Sequence, residues 1–234
     1  MCGRYVSPEQ AAIERAWRIG RVTGNPLMRR FNVAPTDPVP LLVHDRGVLT
    51  LGTARWGLIP HWWKEEKPPK LSFNARIEEA VSKPMWRDSM RQGRCLVPAE
   101  GWYEWRVVEQ TDPQTGEIVR SKQPHYIRRS DGQLACFAGL FSWTRKPGAE
   151  EPLLTCAILT TAAAGALIEL HDRMPVVLAD EAHPQWLDPA LRDAAQASAL
   201  AREHQSVDAF TQFPVRKLVN STRNDGPELI EPLD

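Results

Sequence analysis

Residues 39–57, VPLLVHDRGVLTLGTARWG, decide the fold class. Two runs rich in apolar and β-favouring residues, VPLLVH and VLTLGTARWG, flank DRG, and a short turn former between two such runs is the signature of a β-hairpin. Upstream, RFNVAPTDPVPLLVH (30–44) is an extended, proline-punctuated approach to that hairpin. Downstream, RCLVPAEGWYEWRVV (94–108), QLACFAGLFSW (133–143), LLTCAILTT (153–161) and MPVVL (174–178) read as further strands. Residues 109–124, EQTDPQTGEIVRSKQP, are polar and read as the exposed loop of a long hairpin whose return strand is HYIRR (125–129).

Helices are fewer. SPEQAAIERAWRI (7–19) predicts a helix with Ser7 as N-cap, Pro8 at its first position and Gln10 closing a capping box, with Ala11, Ile13, Ala16 and Trp17 as its apolar face. IEEAVSKPMWRDSMRQG (77–93) predicts a helical run broken at Pro84, AAAGALIEL (162–170) a short helix, and DPALRDAAQASALAREHQ (188–205) a helix capped by Asp188 with Pro189 at its first position. LIPHWWKEEKPPKLSFNAR (58–76) has no period and reads as a loop carrying two adjacent indoles. With no strand–helix alternation, repeat or long linker, the expectation is a single compact α+β domain over 1–234. Its centre is a mixed, mostly antiparallel, barrel-like sheet with flanking helices.

The 234 residues are 42% hydrophobic and 25% charged, which excludes disordered and collagen-like chains. No apolar run approaches the roughly 20 residues of a membrane helix, and no signal-peptide layout precedes the first helix. A cytoplasmic protein without a membrane partner, nucleoid-associated in a bacterium, is expected, and nothing argues against a monomer. Net charge is zero, but residues 1–94 hold 16 basic and 9 acidic side chains against 13 and 20 in 95–234. The basic half interleaves Arg4, Arg29, Arg30, Arg55, Lys64, Lys67, Lys70 and Arg76 with aromatic residues. That pattern suits a single-stranded nucleic acid groove or, equally, a solvated basic face.

Cys95, Cys136 and Cys156 lie inside apolar runs and read as buried small hydrophobes, whereas Cys2 in MCGRY has no such apolar setting. If Met1 is excised, Cys2 offers an α-amine titrating near about 8 and a thiol near about 8.5 on adjacent carbons. Toward an aldehyde, amine and thiol together give a Schiff base and then a five-membered thiazolidine; toward an amide or ester, the thiol alone attacks. Glu104 in EGWYEW alternates onto the face of Trp102, opposite Tyr103 and Trp105, where a raised carboxyl pKa suits general acid–base work; an ordinary solvated carboxylate is the alternative. His171 in IELHDRMP stands where a helix gives way to a strand, as a functional group or as a plain C-terminal cap. Asn74 in SFNAR both donates and accepts, so it can orient a nucleophile or cap a helix. Cys–His–Asn and Cys–His–Glu sets also fit a thiol hydrolase. The six histidines show no metal-ligand spacing, so neither metal nor cofactor is expected.

The segments MCGRY (1–5), RFNVAPT (30–36), RWGLIPHWWK (55–64), FNAR (73–76), RCLVPAEGWYEW (94–105), LTTAAA (159–164), LHDRMPVVL (170–178) and VNSTRND (219–225) run in order along the chain. Together they resemble the SOS response-associated peptidase (SRAP) family. The resemblance implies an enzyme that removes its own Met1, recognises abasic sites in single-stranded DNA and crosslinks itself to their aldehyde through Cys2; a thiol autopeptidase or a non-covalent single-stranded DNA binder is the alternative. By that likeness Asn74 positions the amine, Glu104 shuttles protons and His171 assists Schiff-base formation and ring opening. Trp62, Trp63 and Trp105 would stack on unpaired bases, Arg4 and Arg76 reach phosphates, Pro35 form an apolar wall, and Thr161 join the DNA contacts. Glu100 and Leu170 depart from the residues common at those places, as surface and packing changes.

Overall fold

The computed structural model describes residues 2–25, 27–70, 72–111, 116–145, 150–207 and 209–233. Thirteen strands and five short α-helices lie among them. Strands β4 (Pro38–Asp45) and β5 (Val48–Trp56) form the hairpin read from 39–57, paired from Pro38↔Arg55 to Asp45↔Val48. Arg46 and Gly47 make its turn with φ of 51° and 78°, the left-handed pair that matches strand twist in a two-residue hairpin.

That hairpin belongs to a closed ring. β4 pairs antiparallel with β7 (Arg94–Ala99), β7 with β10 (Ala135–Thr144), and β10 with β11 (Leu153–Ala162); β11 then lies parallel to β5 through Thr155↔Arg55 and Cys156↔Trp56. The result is a five-stranded mixed barrel, extended by the short strands β2 (Arg21–Val22), β6 (Asn74–Arg76) and β12 (Arg173–Pro175). A second, antiparallel sheet runs in the order β13 (Phe210–Pro214), β9 (Ile118–Arg129), β8 (Gly101–Thr111), β1 (Tyr5–Ser7), β3 (Arg30–Val33). The expected single α+β domain with a barrel-like, mostly antiparallel sheet is what the chain forms.

Barrel strands are buried on both faces, which is why they read as continuous apolar runs rather than alternations. Leu41, Val97, Phe137, Cys156 and Ile158 point inward with Trp56 and Trp102, while Leu42, Leu96, Cys136, Leu140 and Leu159 point outward under helices. Those helices are α2 (Ile77–Ala80), α3 (Arg87–Gln92), α4 (His183–Leu187) and α5 (Ala194–Glu203). Arg94 is buried and sews α3 and the end of α4 to β7, donating to the carbonyls of Met90, Arg91, Trp186 and Asp188 at 2.7–3.1 Å.

Several expectations are corrected. Ser7 does not cap a helix: it is buried in β1 opposite Arg30, and α1 (Gln10–Ala16) starts behind Glu9 without a side-chain cap, burying Ile13 but neither Ala11 nor Ala16. Residues 94–108 are not one strand, because the chain bends at Glu100 and passes from barrel to second sheet. Gly101 makes that crossing possible, since a Cβ there would collide with the Ile127 carbonyl and the Tyr126 ring. The polar 109–124 stretch is mostly ladder, paired from Glu109↔Arg120 to Thr111↔Ile118, because an exposed two-stranded ribbon pairs its backbone whatever its polarity; 112–115 lie outside the described residues. The helix expected over 188–205 starts at Ala194, capped by Asp193, whose carboxylate accepts from the Ala195 and Gln196 amides; Asp188 instead holds the Ala190 amide in the preceding turn. Of MPVVL, only the start is strand, followed by isolated bridges at Val177 and Leu178. AAAGALIEL forms a 3-10 turn at Gly165–Glu169.

Candidate active site at the N-terminal cysteine

Three elements converge on Cys2. β1 follows it and pairs with β8 through Tyr5↔Trp102, and β6 lies beside β11 with Asn74 opposite Ile158. Cys2 is fully buried in the inner apolar cluster with Tyr5, Trp56, Trp102 and Ile158. The reading that gave Cys2 no apolar setting is therefore wrong; its apolar neighbours come from distant segments, which local sequence does not display. Burial pushes the Cys2 thiol well above its usual range, with the Glu104 charge adding to the effect.

Asn74 is buried at the start of β6, and its Nδ2 donates to the Cys2 carbonyl oxygen at 2.7 Å. Its Oδ1 is buried with no hydrogen-bond partner among the described residues. The helix-cap alternative for Asn74 falls away, because α2 begins behind Arg76 and no side chain caps it. Glu104, 3% exposed, shares a face with fully buried Trp102, while Tyr103 and Trp105 pack on the other side of β8. Burial raises its carboxyl pKa from 4.5 to about 7, and the charge of Asp172 adds to the rise. A carboxyl with that pKa both gives and takes a proton near neutrality. Across the ladder lies His125, whose Nδ1 meets Gln212 Oε1 at 2.6 Å.

His171 sits between the 3-10 turn and β12, where the bond from the Ala163 amide to the Asp172 carbonyl holds the segment. Its Nδ1 lies 2.9 Å from the Arg173 amide and 2.6 Å from Asp172 Oδ1. One nitrogen cannot serve both at once: the neutral ring accepts from the amide, and a protonated ring donates to the carboxylate. Burial lowers the His171 pKa, so the neutral form, with its proton on Nε2, is the one at pH 7.

The residues expected to touch DNA lie in different settings. Arg76, at the end of β6, is exposed, and Thr161, opposite Met174, is half-buried. Arg4 directs one guanidinium nitrogen inward, to Asn32 Oδ1 at 2.9 Å and the Val219 carbonyl at 2.8 Å. Pro35 is half-buried at the second position of a turn closed by the Asp37 amide on the Ala34 carbonyl, with Thr36 at φ 85°, a strained conformation for a β-branched residue. Trp105 donates to Asn220 Oδ1 at 2.8 Å. Trp62 is 40% exposed and tilts against Trp63, their centroids 5.9 Å apart, while Trp63 donates to the Lys67 carbonyl.

Sequence reasoning missed the role of Asn32. Fully buried, it donates through Nδ2 to the carbonyls of Val219, Ser221 and Asn224, and Asp225 receives the Phe31 and Asn32 amides and Arg30. RFNVAPT and VNSTRND are thus one unit, and their appearance as two polar motifs far apart was the available signal. Hollows of about 350 and 440 Å³ open elsewhere on the surface, and neither is lined by Cys2, Asn74, Glu104 or His171. No group of His, Cys, Asp or Glu able to hold a metal, and no helix long and apolar enough to cross a membrane, lies among the described residues.

A family model described as SOS response associated peptidase (SRAP) matches residues 1–222. The chain is 38% identical to the abasic site processing protein YoqW of Bacillus subtilis (strain 168), covering 86% of this chain and 85% of that one. It is 35% identical to the abasic site processing protein YedK of Escherichia coli (strain K12), covering 87% and 85%. Among solved structures it is similar to a phage-related protein of Bordetella bronchiseptica, with TM-score 0.68 and 31% identity over 92% of this chain and 95% of that one.

Proposed function

Because this chain belongs to the SOS response associated peptidase (SRAP) family, we propose that it recognises abasic sites in single-stranded DNA and joins itself to them covalently through Cys2 once Met1 is removed. The observation that carries this reading is the grip of Asn74 on Cys2: Nδ2 holds the Cys2 carbonyl, and the buried Oδ1 has no partner among the described residues. The α-amine of a chain beginning at Cys2 is the donor that this oxygen lacks. Relatives named as abasic site processing proteins supply the lesion. It acts as a monomer in the cytoplasm.

The amine attacks the aldehyde carbon of the ring-opened deoxyribose, giving a carbinolamine. Its hydroxyl leaves as one water with a proton from the Glu104 carboxylic acid, and the nitrogen returns its proton to the carboxylate as the imine forms. The Cys2 sulfur then adds to the imine carbon while the thiol proton passes to the imine nitrogen, closing the thiazolidine. Glu104 is suited to each transfer because its pKa of about 7 leaves both protonation states populated. His171, neutral and carrying its proton on Nε2, assists at the sugar oxygen. A thiol peptidase would need the thiolate, which burial disfavours at Cys2 and which a first attack by the amine does not require.

Cys2→Ser tests the ring. The variant keeps the amine, so borohydride should trap an imine while the untreated adduct decays; an untreated adduct as durable as the wild type's would overturn the thiazolidine.

A further inference from the structure

His171 and Asn74 come from segments about a hundred residues apart, and one ion pair ties those segments together. Arg173, with 12% of its side chain exposed, meets Glu78 in a two-pronged contact, NH1 to Oε1 at 3.0 Å and NH2 to Oε2 at 2.8 Å. The same NH2 donates to the Thr160 carbonyl at 2.7 Å. Glu78 stands in α2, which continues directly from β6, the strand that carries Asn74 and Arg76. Arg173 opens β12 opposite Ala162, and its own amide is the donor to His171 Nδ1. A planar guanidinium held by a carboxylate and a carbonyl leaves its backbone little freedom, so the amide is held at the imidazole.

We propose that Glu78 is a positioning residue for this site, fixing through Arg173 the tautomer and place of His171 relative to Asn74 and Cys2. This rests on the abasic-site reading only where adduct formation is the readout. Burial lowers the His171 pKa, while Asp172 beside Nδ1 and the backbone bond with Arg173 both oppose that fall. The other charges acting on the ring are Lys122 of β9 and the N-terminal amine, both of which oppose protonation. Glu78→Gln removes the negative charge that holds the guanidinium. The amide then slackens beside the imidazole and the Arg173 charge is left uncompensated, so His171 loses its place and its pKa falls further.

The test follows His171 by ring-resonance NMR titration in the wild type, Glu78→Gln and Arg173→Lys, and measures the rate of adduct formation at saturating abasic oligonucleotide from pH 5 to 9. Both variants should shift the His171 titration, Glu78→Gln to lower pH, and carry the acid limb of the rate profile with it. The rate at pH 7 should fall roughly ten- to a hundredfold, the cost of a small misplacement in a reacting site. Affinity for an undamaged strand and spectral dispersion should match the wild type, separating this from misfolding; if Glu78→Gln fails to fold, Glu78→Asp takes its place. An unchanged His171 titration and rate in both variants would overturn the proposal. A wild type that forms no adduct while the titration still shifts would instead sink the abasic-site reading and leave the lock standing.

Discussion

The side-chain amide of Asn74 donates to the backbone carbonyl of Cys2 at 2.7 Å, and this bond fixes the first nucleophile of the chain to the barrel. β6 is anchored on β11 by parallel pairing, so Asn74 inherits the rigidity of the barrel wall and passes it to a residue near the chain terminus. The bond is buried, and removing its donor leaves the Cys2 carbonyl short of a partner. Asn74→Ala should cost about 1–3 kcal/mol of stability and slow adduct formation roughly a hundredfold. Thermal melting and single-turnover kinetics check the two separately. A variant that melts lower but reacts at the wild-type rate would confine Asn74 to structure.

Glu104 makes the protein less stable as pH rises. The folded carboxyl titrates at about 7 and the unfolded one near 4.5, so between these values the folded state holds the extra proton. Stability is therefore fullest below pH 4.5, falls through the window from 4.5 to 7, and is lower by about 3 kcal/mol above it. Glu104→Gln stays neutral throughout. It should melt higher than the wild type at pH 8, match it near pH 4.5, and crosslink far more slowly while binding DNA as well; a lower melting temperature at pH 8 would contradict the buried-carboxyl account.

The two loop tryptophans should differ. Trp62 is the more exposed, while Trp63 is half-buried and spends its Nε1 on the Lys67 carbonyl. Replacing Trp62 with Ala should weaken single-stranded DNA binding by about 1–3 kcal/mol, one stacked base, without lowering the melting temperature. Trp63→Ala should weaken binding and loosen the loop together. Fluorescence anisotropy with an undamaged strand, alongside melting curves, distinguishes them.

Asn32→Ala should be among the more damaging polar substitutions. It strips the donor from three backbone carbonyls and the acceptor from Arg4, a loss of about 3 kcal/mol for a buried hub. Chemical denaturation reads this directly, and a change under about 0.5 kcal/mol, the ordinary surface value, would show that water replaces the bonds.

The hairpin at 39–57 is legible in sequence because its turn chemistry and its two apolar runs are local, and the turn at Arg46–Gly47 repeats what DRG announces. The pairing of Glu104 with Trp102 is legible for the same kind of reason, since a period of two along one strand decides the face. The burial of Cys2 is not, because its neighbours Trp56, Trp102 and Ile158 arrive through tertiary pairing. Nor is the sheet change at Glu100–Gly101: RCLVPAEGWYEWRVV reads as one run, and only the crowding at Gly101 reveals the bend. Ser7 and Asp188 both precede proline and read well as caps, yet strand pairing takes Ser7, and Asp193 offers the start nearer the packed face of α5. Arg173 follows His171 in the sequence, but its partner Glu78 lies 95 positions away and nothing local connects them.

The most direct test of the central claim mixes protein that begins at Cys2 with a single-stranded oligonucleotide carrying one abasic site, then applies denaturing electrophoresis and intact mass analysis. The account predicts a band that survives denaturation, with the mass of protein plus DNA less one water, and no such band with Cys2→Ala. A wild type that yields no adduct, or a Cys2→Ala variant that yields the same one, would contradict it.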